Sequence, residues 1–454
     1  MSTRPTPPPT RRRFLSQSAA GAAGLVAATA FDTDGTRAAQ APLSSQEALR
    51  LAGARRDELV QLLSRLVTVS SPLGESAAEG QRLVADYLRT RGYTPDLVVD
   101  NPTRYVSHPD YMAPAVPYPA PATNLMARAA QRSSRVALFA HIDTEKAGAG
   151  WTSAPLQPRI SNGRLYGLGA ADDKGGVAAM AVAAAVLQAE GRPSPLVLSL
   201  HGKGGGSRGS LPTFERLRDL SQVLYVHPAE TGRGLVDIKH IVRGVVDLRI
   251  DITGWRAAPR EIGSPDSAPY AEGGDALALA MALVPRLQQT ALRGCETNVG
   301  ELVAGDRVGS VPDKARVRIR VLFDDRQRAF GDLVSAAQQE ASRLAEERRR
   351  GPQAFTVIVA REGLGANYGA VDWNDPACRT LRTAIAEVTG REPASYPTHY
   401  AGDIRYPIRL SGVPAFGIGS LAGGFYGPDE WVDIDDLVRL VAVVMLASER
   451  WALA

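Results

Sequence analysis

Between residues 135 and 226 short apolar runs alternate with helical stretches, and this alternation limits the fold more than any other feature of the chain. Residues 135–140, 196–200 and 223–226 read as strands, with an Ala-rich helix over 175–190 and a helix over 211–220 between them. Strands separated by helices form a mainly parallel sheet with helices on both faces, an α/β fold. In such sheets sites collect in the loops at the carboxyl ends of the strands. Upstream, the pattern predicts helices over 45–67 and 75–91 and a strand over 95–99. The Pro- and Tyr-rich stretch 101–123 reads as a loop long enough to carry function.

Near Gly244 the pattern changes. Strand 245–252, helix 274–289, strands 297–302 and 315–323, helix 329–349 and strand 355–360 follow in the β-α-β-β-α-β order of a ferredoxin-like split unit. Helix 375–389, strand 413–418 and helix 433–451 then return to the first pattern. The expected organisation is a leader and linker over 1–41, the first part of an α/β domain over 42–243, an inserted unit over 244–361, and the second part of the α/β domain over 362–454.

The 454 residues suffice for two cores. With 44% hydrophobic and 22% charged residues, the composition is that of a globular protein. The formal charge of +4 is small for this length. The run Glu346 to Arg350 reads as the solvated end of a helix, and no motif points to nucleic acid. Thr10-Arg11-Arg12-Arg13-Phe14-Leu15 precedes a weakly apolar run over 19–30, the layout of a twin-arginine signal peptide. That run is too short for a membrane span. The expected location is periplasmic or extracellular, with cleavage after Ala30 or nearer Ala41. Cys295 and Cys378 lie far apart in sequence and read as buried thiols, with a disulfide left open.

Two segments carry the first chemical signal. Residues 135–140 lead into His141-Ile142-Asp143-Thr144, and a metal-binding His needs an acceptor on its second nitrogen. Downstream, Trp151 and Asn162-Gly163-Arg164-Leu165 precede Tyr166-Gly167-Leu168-Gly169-Ala170-Ala171-Asp172-Asp173-Lys174-Gly175-Gly176. There glycines let backbone pass close to a site, and Asp172 stands where a helix N-cap would also stand. Together the two segments resemble the M20 metallopeptidase family, over nearly the whole chain after the leader. The resemblance implies a zinc exopeptidase fold whose inserted unit is a lid and a surface for a homodimer. It implies that His141 binds one zinc, Asp172 bridges two, and Asp143 orients His141. In the same way Asn298, in a lid strand, would hydrogen-bond substrate. Arg405, within Tyr400-Ala401-Gly402-Asp403-Ile404-Arg405-Tyr406, would clamp a substrate carboxylate with its fork of donors.

The chain then departs from the family. Where the family has Glu-Glu-x-Gly-Ser-x-Gly, with a general base followed by a zinc ligand, this sequence reads Lys203-Gly204-Gly205-Gly206-Ser207-Arg208-Gly209. Tyr426 stands where a zinc-binding His is expected three residues before Asp429-Glu430, and the lid His is absent near 257–260. His227 or Glu230, in His227-Pro228-Ala229-Glu230-Thr231, takes the place of an acidic ligand. One zinc would keep His141, Asp172 and His227 or Glu230, whereas a second would keep Asp172 alone. The expectation is therefore no obligatory metal and at most a single Zn2+. An ammonium about 4 Å from a dication is repelled by several kcal/mol, so Lys203 points away, is neutral, or replaces the metal beside Asp172. The last reading is favoured. Left without metal, His141 and Asp143 form an acid–base pair, Lys203 serves as base or as a cation for an oxyanion, and Tyr426 supplies a proton or hydrogen bond.

Three functions follow from these residues. The first is a repurposed enzyme acting on a peptide-like or N-acyl-amino-acid-like carboxylate by amide hydrolysis, amide formation, cyclisation or elimination. The second is a non-catalytic binder of such a ligand, and the third an ordinary zinc exopeptidase. Loss of three metal-site residues in one chain places the third last, and replacement by Lys and Tyr, both capable of proton chemistry, places the enzyme first.

Overall fold

The computed structural model describes residues 41–454 apart from 74, 113–120, 204–205, 256–272, 306–310 and 398. The leader, Gly204 and the 257–260 segment lie outside the described residues. A central sheet takes the order Tyr93–Asp100, Ala122–Ala129, Ser194–Leu200, Ser133–His141, Gln222–Val226 and Ala415–Ile418. The sheet is mixed. The last four strands run parallel, while Ala122–Ala129 is antiparallel to both of its neighbours.

Strand Ser194–Leu200 is buried along its whole length, as an apolar run between two neighbours must be. Alternate side chains of Ser133–His141 serve two cores. Val136, Leu138 and Ala140 join the larger cluster, and Ala137 and Phe139 the smaller one on the other face. The larger cluster takes in helices Lys174–Ala189 and Ile434–Leu453, and the smaller one helix Ser210–Arg216. Helix Lys174–Ala189 is buried from Lys174 to Leu187, because its Ala and Gly side chains let sheet and helices approach closely. At Gly176 an added Cβ would lie 1.9 Å from the Val226 carbonyl oxygen.

Residues 244–366 build a second sheet, wholly antiparallel, in the order Glu296–Ala304, Lys314–Phe323, Gly244–Thr253, Thr356–Ala366. Helices Ala276–Gln289 and Phe330–Glu347 pack on one face around a separate core. The other face carries charged pairs such as Arg320 with Asp247 and Arg318 with Glu362.

The structure differs from the sequence reading in several places. Residues 45–67 form two helices, Ser45–Gly53 and Arg56–Thr68, broken at Ala54-Arg55. Strand Ala122–Ala129 occupies residues whose first two fell in the expected loop. A small sheet joins Arg159–Ser161 and Arg164–Tyr166 to Ala422–Gly423 and Trp431–Asp433, and it carries Glu430 to the Gly-rich segment. Cys378 is buried, Cys295 is partly buried, and both are free thiols. Among the described residues no helix is long and apolar enough to cross a membrane.

Candidate functional site

Four site residues meet at the carboxyl ends of the parallel strands. His141 ends strand Ser133–His141, Lys203 follows Ser194–Leu200 by three residues, and His227 follows Gln222–Val226 directly. Asp172 arrives from the turn before helix Lys174–Ala189 and is the hub. Its Oδ1 accepts from His141 Nε2 at 2.8 Å and from His227 Nε2 at 3.1 Å, and its Oδ2 receives the Lys203 ammonium. All four side chains are buried. Burial alone would push Asp172 up, but Lys203 and His141 hold it well below the usual carboxylate range. Burial likewise opposes the charged form of Lys203, and Asp172 more than offsets it, so Lys203 is an ammonium and not a base.

His141 also places Nδ1 3.0 Å from the Asp143 carbonyl oxygen, and the Asp143 carboxylate stands farther off at 3.5 Å. The carbonyl is therefore the closer acceptor. Asp143 Oδ1 instead receives the Gly202 backbone N–H at 2.9 Å, shaping the turn that presents Lys203. With acceptors facing both ring nitrogens, His141 carries two protons. Burial opposes that charge, and Asp172 and Asp143 raise His141 well above its ordinary value despite it. His227 differs. Burial and the nearby Lys239 push it down to about 3, so it is a neutral imidazole. Phe139, Tyr225 and His227 stack in a ladder with centroids 4.3 and 4.7 Å apart, which fixes the His227 ring.

Tyr426 covers Lys203, its ring centroid 4.2 Å from Nζ, and its hydroxyl donates to Glu230 Oε1 at 3.1 Å. Glu230 is thereby tied to Tyr426. Arg405 and Asn298 lie outside this hydrogen-bonded cluster. Arg405 is fully buried and donates to the carbonyls of Ala401 and Gly402 and to the Tyr406 hydroxyl. Asn298 is exposed on the second sheet, where it lines a concavity with Arg318, Arg320 and Glu362.

Sequence reasoning missed three participants. Asp173 accepts the His141 backbone N–H through Oδ2, while its buried Oδ1 has no partner, and burial together with the charge of Asp172 pushes it well up. The Asp-Asp pair was visible in the motif, but nothing local told which carboxyl would be ionised. Lys239 reaches His227 from below, and no motif announces it. Glu430 accepts three backbone N–H groups, from Gly169, Ala171 and Asp172, each at 2.8 Å, and so holds the turn that aims Asp172. Its signal was the Asp429-Glu430 pair, which served only as a landmark for Tyr426.

Among the described residues His141, Asp173 and His227 have donor atoms within 4.8 Å of one another, enough in number for one catalytic zinc. Both imidazole Nε2 atoms face Asp172 Oδ1, and a ligand nitrogen must be bare, so an ion there would take the place of the hydrogens those contacts use. Asp172 Oδ2, the outlet toward a second ion, is taken by Lys203, and Tyr426 is engaged with Glu230. These residues, as arranged, do not fit a dinuclear zinc centre, and a single ion would require both imidazoles to release a proton.

The profile for peptidase family M20/M25/M40 matches residues 137–450. Among curated relatives, the succinyl-diaminopimelate desuccinylase of Novosphingobium aromaticivorans is 26% identical over 331 residues, covering 70% of this chain and 82% of that protein. The one from Zymomonas mobilis is 23% identical and covers 84% and 95%. Solved structures with the same fold include aminopeptidase PepT from Bacillus cereus, at TM-score 0.65 and 16% identity over 88% of this chain and 99% of that one. A tripeptidase from Staphylococcus aureus gives TM-score 0.66 and 18% identity over the same shares.

Proposed function

This chain belongs to peptidase family M20/M25/M40, and from that membership we propose that it processes an amide bond with a cluster of His and Lys side chains in place of two zinc ions. The substrate class is an N-acyl amino acid or short peptide bearing a carboxylate. The relatives are named for removing a succinyl group from diaminopimelate, and the structural neighbours for cleaving peptides, so an acyl–nitrogen bond is what their names share. One observation carries the reading: the Lys203 ammonium sits on the Asp172 carboxylate, so a cation supplied by the chain occupies the hub.

His141 and Lys203 present two positive groups to a carbonyl oxygen that gains charge during attack, and buried donors of this kind are worth several kcal/mol in a transition state. His141, protonated on both nitrogens, can pass one proton to the departing nitrogen as the C–N bond breaks and then take one back from the water whose oxygen forms the new bond to the acyl carbon. Tyr426 lies over Lys203 and is more than half exposed, so a substrate reaches Lys203 by displacing that ring. The separate sheet and core of residues 244–366 support a lid role for that unit, with Asn298 on a strand where a substrate polar group can meet it. Arg405, held by its own turn, supports the shape of the 400–406 segment. The Arg11-Arg12 leader supports twin-arginine export to the periplasm or the exterior.

The test is turnover of a panel of N-succinyl and N-acetyl amino acids and dipeptides, with and without a zinc chelator. Turnover should be indifferent to the chelator and fall about a hundredfold or more in Lys203→Met. The Lys203→Arg variant, which keeps the charge, should retain a larger share. Turnover that needs zinc contradicts the proposal. A ligand that is held but recovered unchanged after long incubation with active-folded protein replaces the enzyme with a binder.

A further inference from the structure

Lys239 is a second ammonium-bearing side chain sealed beneath the cluster. Its backbone exchanges two hydrogen bonds with Gly417, each 2.8 Å, so the residue is clamped to the edge of strand Ala415–Ile418. Its stem runs across Gly417, where an added Cβ would stand 2.8 Å from Lys239 Cε, and only glycine leaves that path open. The side chain is 1% exposed. Its Nζ lies 2.6 Å from His227 Nδ1 and 2.8 Å from the Pro228 carbonyl oxygen.

An imidazole has one proton when neutral, and its second nitrogen is then an acceptor. His227 Nε2 faces a carboxylate oxygen and has to carry that proton, so Nδ1 is bare and accepts from Lys239. Pro228 carbonyl, 2.8 Å from Nδ1, would be the natural acceptor of the other tautomer. Lys239 competes for the same nitrogen as a donor. We propose that Lys239 is a positioning residue that locks His227 in the Nε2–H tautomer and thereby closes the cluster to metal ions. This rests on the reading of the site as one that works without zinc. It adds that two separate lysines hold the site in that state, Lys203 at the carboxylate and Lys239 behind the imidazole.

The experiment uses full-length protein with 15N-labelled histidine. The chain has six histidines, and His227 is assigned by the signals lost in His227→Gln. In wild type its spectrum should be that of a neutral ring protonated on Nε2. In Lys239→Met the ring should shift toward Nδ1–H, bonded to Pro228, and zinc affinity measured by equilibrium dialysis with zinc chloride should rise about tenfold or more, the change expected when an outer-shell partner of a ligand is altered. A wild-type His227 protonated on Nδ1 overturns the inference even if Lys239→Met does not fold. So does a folded Lys239→Met with wild-type His227 signals and wild-type zinc affinity. A wild type that binds two zinc ions is a different outcome, which removes the functional reading itself.

Discussion

Asp172 offers one oxygen to two imidazoles and the other to an ammonium. Burial would push both Asp143 and Asp172 up, yet His201 and His141 hold Asp143 down, and Lys203 and His141 hold Asp172 down. Asp403 shows the opposite behaviour. Burial pushes it up to about 6, although Ser210 donates to it at 2.5 Å and Arg405 stands 3.8 Å away. The folded state therefore holds this proton more firmly than the unfolded chain does. Its contribution to stability is full below the unfolded value of about 4 and is lost as pH rises through about 6. Asp403→Asn removes that dependence, so urea midpoints of variant and wild type should draw apart in the variant's favour between pH 4 and 7; parallel profiles would show that Asp403 does not titrate in this way. His141, Asp172 and Lys203 were legible in the sequence, because a strand-end His, a Gly-flanked Asp and an ungapped Gly-Ser-x-Gly fix their places. Arg405 was read from the family resemblance, and a resemblance does not reveal that the side chain donates to the carbonyls of its own turn. Lys239 had no periodicity or motif around it, and only the neighbouring strand brings it to His227.

Elements legible in the sequence are those whose burial follows a simple period. Strand Lys314–Phe323 alternates exposed and buried residues almost without interruption, and its Lys/Arg and Val/Ile alternation says so in advance. Strand Ala122–Ala129 was missed because it is buried on both faces, begins inside a Pro-rich stretch and has few β-branched residues. The break between the first two helices falls just after Gly53, inside a stretch read as one helix over 45–67. The small four-stranded sheet was invisible because its strands are two or three residues long and come from distant parts of the chain. Its consequence is local and measurable. It brings Glu430 under the turn that aims Asp172, where both carboxylate oxygens accept backbone N–H groups. Glu430→Gln turns one acceptor into a donor facing a donor. The variant should lose about 1–3 kcal/mol of stability in chemical denaturation and a share of any turnover, and an unchanged midpoint would show that the carboxylate does not hold the turn.

Across the whole molecule, a mixed central sheet with helices on both faces sets the strand ends in one place, and residues 244–366 add a second sheet with its own core. The fold is shared with aminopeptidase and tripeptidase structures at sequence identities below a fifth, so it is preserved by packing and not by particular side chains. At the strand ends the Lys203 ammonium sits on the Asp172 carboxylate. An ammonium beside a dication at about 4 Å, in surroundings of effective dielectric near 20, is repelled by about 8 kcal/mol. Zinc content therefore tests the account most directly. Wild-type protein equilibrated with zinc chloride, freed of loosely held ion and measured by plasma mass spectrometry should contain far less than one zinc per chain. Two zinc ions per chain would contradict it.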